Sequence, residues 1–193
     1  MIIKSFELDK VKIKNIYFLF YGENQGLKNE VIKNKFQIKY KESTYNYDEN
    51  EVLINKENFF NNILSKSFFE KEKLIIINRV TDKILDIAEE LIEKKIGDLV
   101  VILNANILEK KSKIRSLFEK NKETTCVAFY EDNNQTLSII VNNFFRSNKI
   151  PVSQQAINLI VQRARGDRLN LSNELQKIKS YTSVKKKSTS KIS

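Results

Sequence analysis

A doubly wound α/β domain with a parallel sheet of about five strands, followed by a bundle of three short helices, is the fold class this sequence predicts. Three observations predict it. Over the first two thirds of the chain, continuous apolar runs of four to six residues alternate with helical periodicities. No strand-like run follows Phe129, and beyond it apolar residues recur at helical spacing only.

The elements follow in chain order. Ile16-Tyr17-Phe18-Leu19-Phe20-Tyr21 is apolar throughout and stops at Gly22, as a strand covered on both faces reads. Phe36-Gln37-Ile38-Lys39-Tyr40 alternates and predicts an edge strand with one wet face. A short helix is expected from Asn58 to Leu64, with Phe59, Phe60, Ile63 and Leu64 toward the core. Leu74-Ile75-Ile76-Ile77, Leu99-Val100-Val101-Ile102-Leu103 and Thr124-Thr125-Cys126-Val127-Ala128-Phe129 repeat the buried-strand pattern. Between them, Ile84, Ile87, Ala88, Leu91 and Ile92 mark a helix over 82–95, capped at Thr81 or Asp82 and closed before Gly97. Ile114, Leu117 and Phe118 mark a second over 111–120.

Three helices are expected next. Leu137, Ile140, Val141, Phe144 and Phe145 define 135–147; Ala156, Ile157, Ile160 and Val161 define 153–164, with Ser153 as N-cap. Leu171, Leu175, Ile178 and Tyr181 define a third beginning at Asp167, a second capping residue. The chain therefore divides into a first domain at 1–133, a helical domain at 134–182 and a basic, flexible tail at 183–193 that shows no periodicity.

Composition narrows the chemistry. The 193 residues are 41% hydrophobic and 30% charged, a globular balance. There is no His, which removes Ser-His-Asp and Cys-His catalysis and imidazole-ligated metals. The single Cys126 rules out an internal disulfide and a four-thiolate metal site, and fits a reducing, cytoplasmic setting. No secretory signal opens the sequence, and no run approaches the ~18 apolar residues of a membrane span. The net charge of +10 is concentrated late: residues 150–193 hold nine Lys and Arg against two Asp and Glu. Such an end suits phosphate or an acidic partner, or simply a solvated surface.

Nucleotide phosphates bind a doubly wound sheet at its first strand-to-helix turn. Here that turn reads Gly22-Glu23-Asn24-Gln25-Gly26-Leu27-Lys28-Asn29. A phosphate loop needs a Gly-rich wrap, then Lys for the phosphate charge, then Ser or Thr for Mg²⁺. Leu27 intervenes before Lys28, Asn29 replaces the hydroxyl residue, and Glu23 adds a negative charge. No adjacent carboxylate pair follows Leu103. Gly22, Gly26 and Lys28 thus form a degenerate loop that binds no cofactor on this reading. No metal-ligand cluster and no catalytic residue are assigned.

Two further features stand out. Ser67-Phe68-Phe69 lies between the polar Ser65-Lys66-Ser67 stretch and the charge run Glu70-Lys71-Glu72-Lys73. Adjacent aromatics there fit either packing under the loop or filling an apolar pocket on a partner. Gly166-Asp167-Arg168-Leu169 leads into Asn173-Glu174-Leu175-Gln176-Lys177-Ile178, whose polar face fits either ordinary capping and intrahelical pairing or contact with an acidic surface or DNA backbone.

Taken in order, these segments resemble the delta subunit of bacterial DNA polymerase III, the sliding-clamp loader family. The resemblance rests on Phe18-Leu19-Phe20-Tyr21-Gly22-Glu23-Asn24, Ser67-Phe68-Phe69 before Leu74-Ile75-Ile76-Ile77-Asn78, and Leu99-Val100-Val101-Ile102-Leu103. Leu108-Glu109-Lys110-Lys111-Ser112-Lys113-Ile114 and the Gly166 to Ile178 run complete it. It implies an AAA+-like first domain that does not bind ATP, a three-helix lid domain, and a non-catalytic role in DNA replication. It implies that Phe68 and Phe69 insert into the sliding clamp (the beta subunit), with the gamma/tau and delta-prime subunits and primed DNA as further partners. The family more often carries Leu-Phe at that place, so Phe68 is a conservative departure. The family also has a third, collar domain; this sequence ends in a Lys/Ser-rich tail and reads as a fragment or a truncated product. Two other classes remain: a P-loop ATPase dependent on Lys28, and a basic DNA-binding module whose contacts would be Arg163, Arg165, Arg168, Lys185, Lys186 and Lys187.

Overall fold

The computed structural model describes residues 2–8, 16–65 and 72–189. Its strands are Ile2–Lys4 (β1), Tyr17–Tyr21 (β2), Thr44–Asp48 (β3), Lys73–Val80 (β4), Leu99–Ala105 (β5) and Thr124–Ala128 (β6). Its helices are Gln25–Val31 (α1), Glu49–Ile54 (α2), Lys56–Leu64 (α3), Leu85–Glu93 (α4), Lys113–Lys120 (α5), Asn134–Ser147 (α6), Gln154–Ala164 (α7) and Arg168–Thr189 (α8). Two compact units result: Met1–Glu23 with Lys28–Tyr130, and Asn24–Leu27 with Glu131–Ser193.

In the first unit six parallel strands lie in the order β1-β6-β2-β5-β4-β3. The continuous apolar runs occupy the middle because a parallel sheet is covered on both faces. Ile77, Leu103, Leu19 and Cys126 align across four strands, all essentially inaccessible to water. They join Phe59, Phe60, Ile63, Leu91, Ile114 and Phe118 from the helices in one core. On the other face, Phe36 packs edge-on against Phe18 and Phe20, at centroid distances of 5.1 and 5.9 Å.

The strand count is six, against about five expected. β1, only three residues long, pairs with β6 at the sheet edge and carries too little pattern to be read. The other edge is displaced from the expected position. Residues Ile32–Gln37 extend α1 as a π-helical turn, and Phe36 meets the sheet as a helical side chain. The edge strand is Thr44–Asp48, paired with β4 from Thr44↔Leu74 to Asp48↔Asn78. At the end of α3, Leu64 is exposed rather than buried.

The second unit is built on α6, α7 and α8, whose Leu137, Val141, Phe145, Ile157, Val161, Ala164, Leu171 and Leu175 share a core. Asn133 Oδ1 accepts from Thr136 N, Ser153 Oγ from Ala156 N, and Asp167 Oδ1 from Leu169 N, capping the helices in turn. Arg165 and Gly166, both at positive φ, turn the chain between α7 and α8. The segment expected to be a flexible tail continues α8 to Thr189. An established helix propagates through polar residues that no apolar periodicity marks. Among the described residues, no helix is long and apolar enough to cross a membrane.

Candidate functional site

β2 delivers the chain to Gly22, whose φ of +122° and closeness to β6 both require glycine: a methyl group there would lie 2.2 Å from the Phe129 carbonyl oxygen. Gly22 N donates to the Asn106 carbonyl at 3.0 Å, and Phe129 N donates to Tyr21 O at 2.8 Å, so the turn is stitched to both neighbouring strand ends. Glu23 is exposed.

Lys28 lies beneath this turn. It is fully buried, and its ammonium donates to the carbonyls of Ala105 at 2.5 Å and Gly22 at 3.0 Å. Burial pulls its pKa down to about 8. A phosphate-binding lysine must reach outward past the loop; this one points into the protein and has main-chain acceptors. At the carboxyl ends of the neighbouring strands, Asn104 Nδ2 donates to Asn78 Oδ1 at 2.9 Å. Amides stand where holding Mg²⁺ beside a phosphate calls for carboxylates. The residues present do not fit a Mg²⁺-nucleotide.

The rest of the turn belongs to the second unit. Asn24 is buried; its Oδ1 accepts from Leu27 N at 3.0 Å, and its Nδ2 donates to Asp132 Oδ2 at 2.8 Å. Arg168 grips the same carboxylate with two bonds, Nε to Oδ2 and Nη2 to Oδ1, both 2.7 Å. Gly26 leaves no space above it, since a methyl group would come within 2.7 Å of Leu169 N. The start of α1 is thus faced by the backbone of α8.

Phe68 and Phe69 lie outside the described residues. Their flanks are anchored. Lys73 Nζ donates to the carbonyls of Ser65 at 2.5 Å and Asn62 at 3.3 Å, at the end of α3. Glu72 pairs with Lys39 at 2.8 Å, and its carbonyl accepts from Ser43 Oγ. Of the basic residues, Arg163 and Arg165 are exposed near the end of α7, and Lys185, Lys186 and Lys187 lie in the last turns of α8. Arg168 is set apart from them by its pairing with Asp132. Asp132 was not among the residues the sequence singled out. It is one acidic residue in a connecting segment, and its partners are 36 and 108 positions away.

No protein-family model and no curated protein sequence matches the chain. Solved structures do match its fold. The DNA clamp loader delta protein of Bacillus subtilis is 16% identical, with a TM-score of 0.55 over 91% of this chain and 56% of that one. The RuvB Holliday junction branch migration motor of Thermotoga maritima is 12% identical, with a TM-score of 0.58 over 88% of this chain and 56% of that one. Domain III of the replication initiation protein DnaA from Thermotoga maritima is 14% identical, with a TM-score of 0.50 over 95% and 83%. The chain spans little more than half the length of the first two. At these identities the likeness is one of fold: a parallel α/β sheet followed by a small helical unit.

Proposed function

We propose that this chain is a clamp-loader subunit of the delta type, which binds a sliding clamp through Phe68 and Phe69 and itself hydrolyses no nucleotide. The observation that carries the reading is the inward-facing Lys28 in an AAA+-like fold. A phosphate loop rebuilt as an internal tie suits a member of an ATP-driven assembly that leaves ATP to its partners. The likeness to a clamp loader delta protein and the position of the aromatic pair between α3 and β4 support the same choice. The other loader subunits (gamma/tau and delta-prime) and primed DNA are its further partners on this reading.

The mechanism is mechanical. Burying each Phe side chain in an apolar pocket contributes about 1.5–3 kcal/mol. Directed at a clamp conformation with a distorted interface, that energy shifts the clamp toward opening. The test is titration of the organism's sliding clamp with the chain and with a Phe68→Ala/Phe69→Ala variant. Binding weakened at least tenfold in the variant supports the reading; equal binding by both moves the contact elsewhere; no binding by the folded wild type removes it.

A second reading, contact with DNA backbone, is favoured by the exposed Arg163 and Arg165 and the lysines at the end of α8. It predicts affinity for duplex DNA that falls steeply with salt. The ATPase reading conflicts with the position of Lys28.

A further inference from the structure

We propose that Asp132 is a built-in anion: its carboxylate takes the place of a phosphate between Arg168 and Asn24, and its removal turns this corner into a site for inorganic phosphate. Three donor bonds of 2.7–2.8 Å converge on one carboxylate that is 5% exposed. A guanidinium presenting two parallel N–H groups can donate both to a carboxylate or to a phosphate. The Asn24 amide and the backbone of Arg168 are held in place independently of Asp132. Asn24 Oδ1 is fixed by Leu27 N, which leaves its Nδ2 facing the carboxylate. Arg168 opens α8, where its backbone lies against Gly26 and the adjacent Asp167 caps the helix. Taking the carboxylate away therefore leaves the fixed Asn24 amide and the Arg168 guanidinium beside an anion-sized space. In the wild-type chain Asn24 and Arg168 stay joined whatever phosphates the solution holds, a property separate from clamp binding.

The experiment is thermal unfolding of the full chain and of Asp132→Ala in about 50 mM phosphate, against chloride at matched ionic strength. The Asp132→Ala midpoint is expected to rise by about 3 °C or more in phosphate, while the wild type and an Asp132→Ala/Arg168→Met variant do not respond. A folded Asp132→Ala that responds no more than either control overturns the proposal. If Asp132→Ala is unfolded in chloride, recovery of its circular dichroism in phosphate supports the proposal. Failure of both Asp132→Ala and Asp132→Ser to fold in phosphate overturns it.

Discussion

Lys28 Nζ lies 2.5 Å from the carbonyl oxygen of Ala105, 77 positions along the chain, and that contact joins the turn after β2 to the end of β5. The second bond, to Gly22 O, closes the turn on itself. The ammonium is thereby part of the fold's interior, with consequences for stability that a phosphate-binding lysine would not have.

Folded, Lys28 has a pKa near 8; unfolded, it returns to about 10.4. Between those values the unfolded chain holds the extra proton, so stability rises with pH, by at most about 3 kcal/mol. Tyr17, Tyr21 and Tyr47 act oppositely. Burial raises their pKa values, so above about pH 10 the unfolded chain loses protons that the fold retains, and stability falls. Urea unfolding should show stability climbing from pH 8 to about 9.5 and turning over beyond 10. Lys28→Met should remove the climb and keep the fall. Parallel profiles would mean the ammonium is hydrated.

The glycines rank by what surrounds them. Gly22→Ala combines a forbidden φ with a collision at Phe129 O and should cost about 3 kcal/mol or more. Gly26→Ala meets the backbone of Leu169 and Arg168 and should cost about 1–3 kcal/mol. Gly97, with open space around it, should tolerate Ala with a change within about 0.5 kcal/mol. Denaturant midpoints of the three variants check the order.

Asp82 Oδ1 accepts from Ser112 Oγ at 2.6 Å and from Ile114 N at 3.0 Å, holding the first turn of α5 from outside the helix. Burial pushes its pKa up, but the bond from Ser112 and those from the amides outweigh this and leave it lowered. Asp82→Ala should cost about 1–2 kcal/mol at neutral pH. Because a lowered carboxylate stabilises above its unfolded pKa, the gap between variant and wild type should close as pH falls below about 4.

Cys126 sits in the centre of the sheet with its thiol pushed up to about 12, chiefly by burial. A thiol reagent at neutral pH should label it only through opening of the fold, so conditions that stabilise the fold should slow the labelling. Fast labelling of the native chain would contradict the core described here.

What the sequence disclosed depended on periodicity. β2, β4, β5 and β6 were legible because burial on both faces leaves uninterrupted apolar runs, and α6 and α7 because one apolar stripe recurs every third or fourth residue. Phe36-Gln37-Ile38-Lys39-Tyr40 misled because its alternation also suits a helical turn that offers one aromatic to a sheet. Thr44–Asp48 was overlooked because an edge strand with half-exposed polar residues carries little pattern. The degenerate phosphate loop was visible as a mismatch of residue types, yet the inward turn of Lys28 was not. Nothing local announces that Gly22 and Ala105 will supply its acceptors. The same holds for Asp132, whose meaning lies entirely in residues brought to it by folding.

The order of the strands also sets a schedule for a chain emerging from the ribosome. β2 is made before its neighbours on both sides, β5 and β6, which begin only at Leu99 and Thr124. β1 waits as long, since Ile2 registers with Cys126. Until Leu99 is made, Phe18, Leu19 and Phe20 therefore lack both of their strand partners, and an unpaired apolar segment is the kind that pairs with the wrong chain. Slower translation of the stretch from Gly22 to Thr124 should therefore lower the soluble yield, and shelter by a holding chaperone over that interval should restore it.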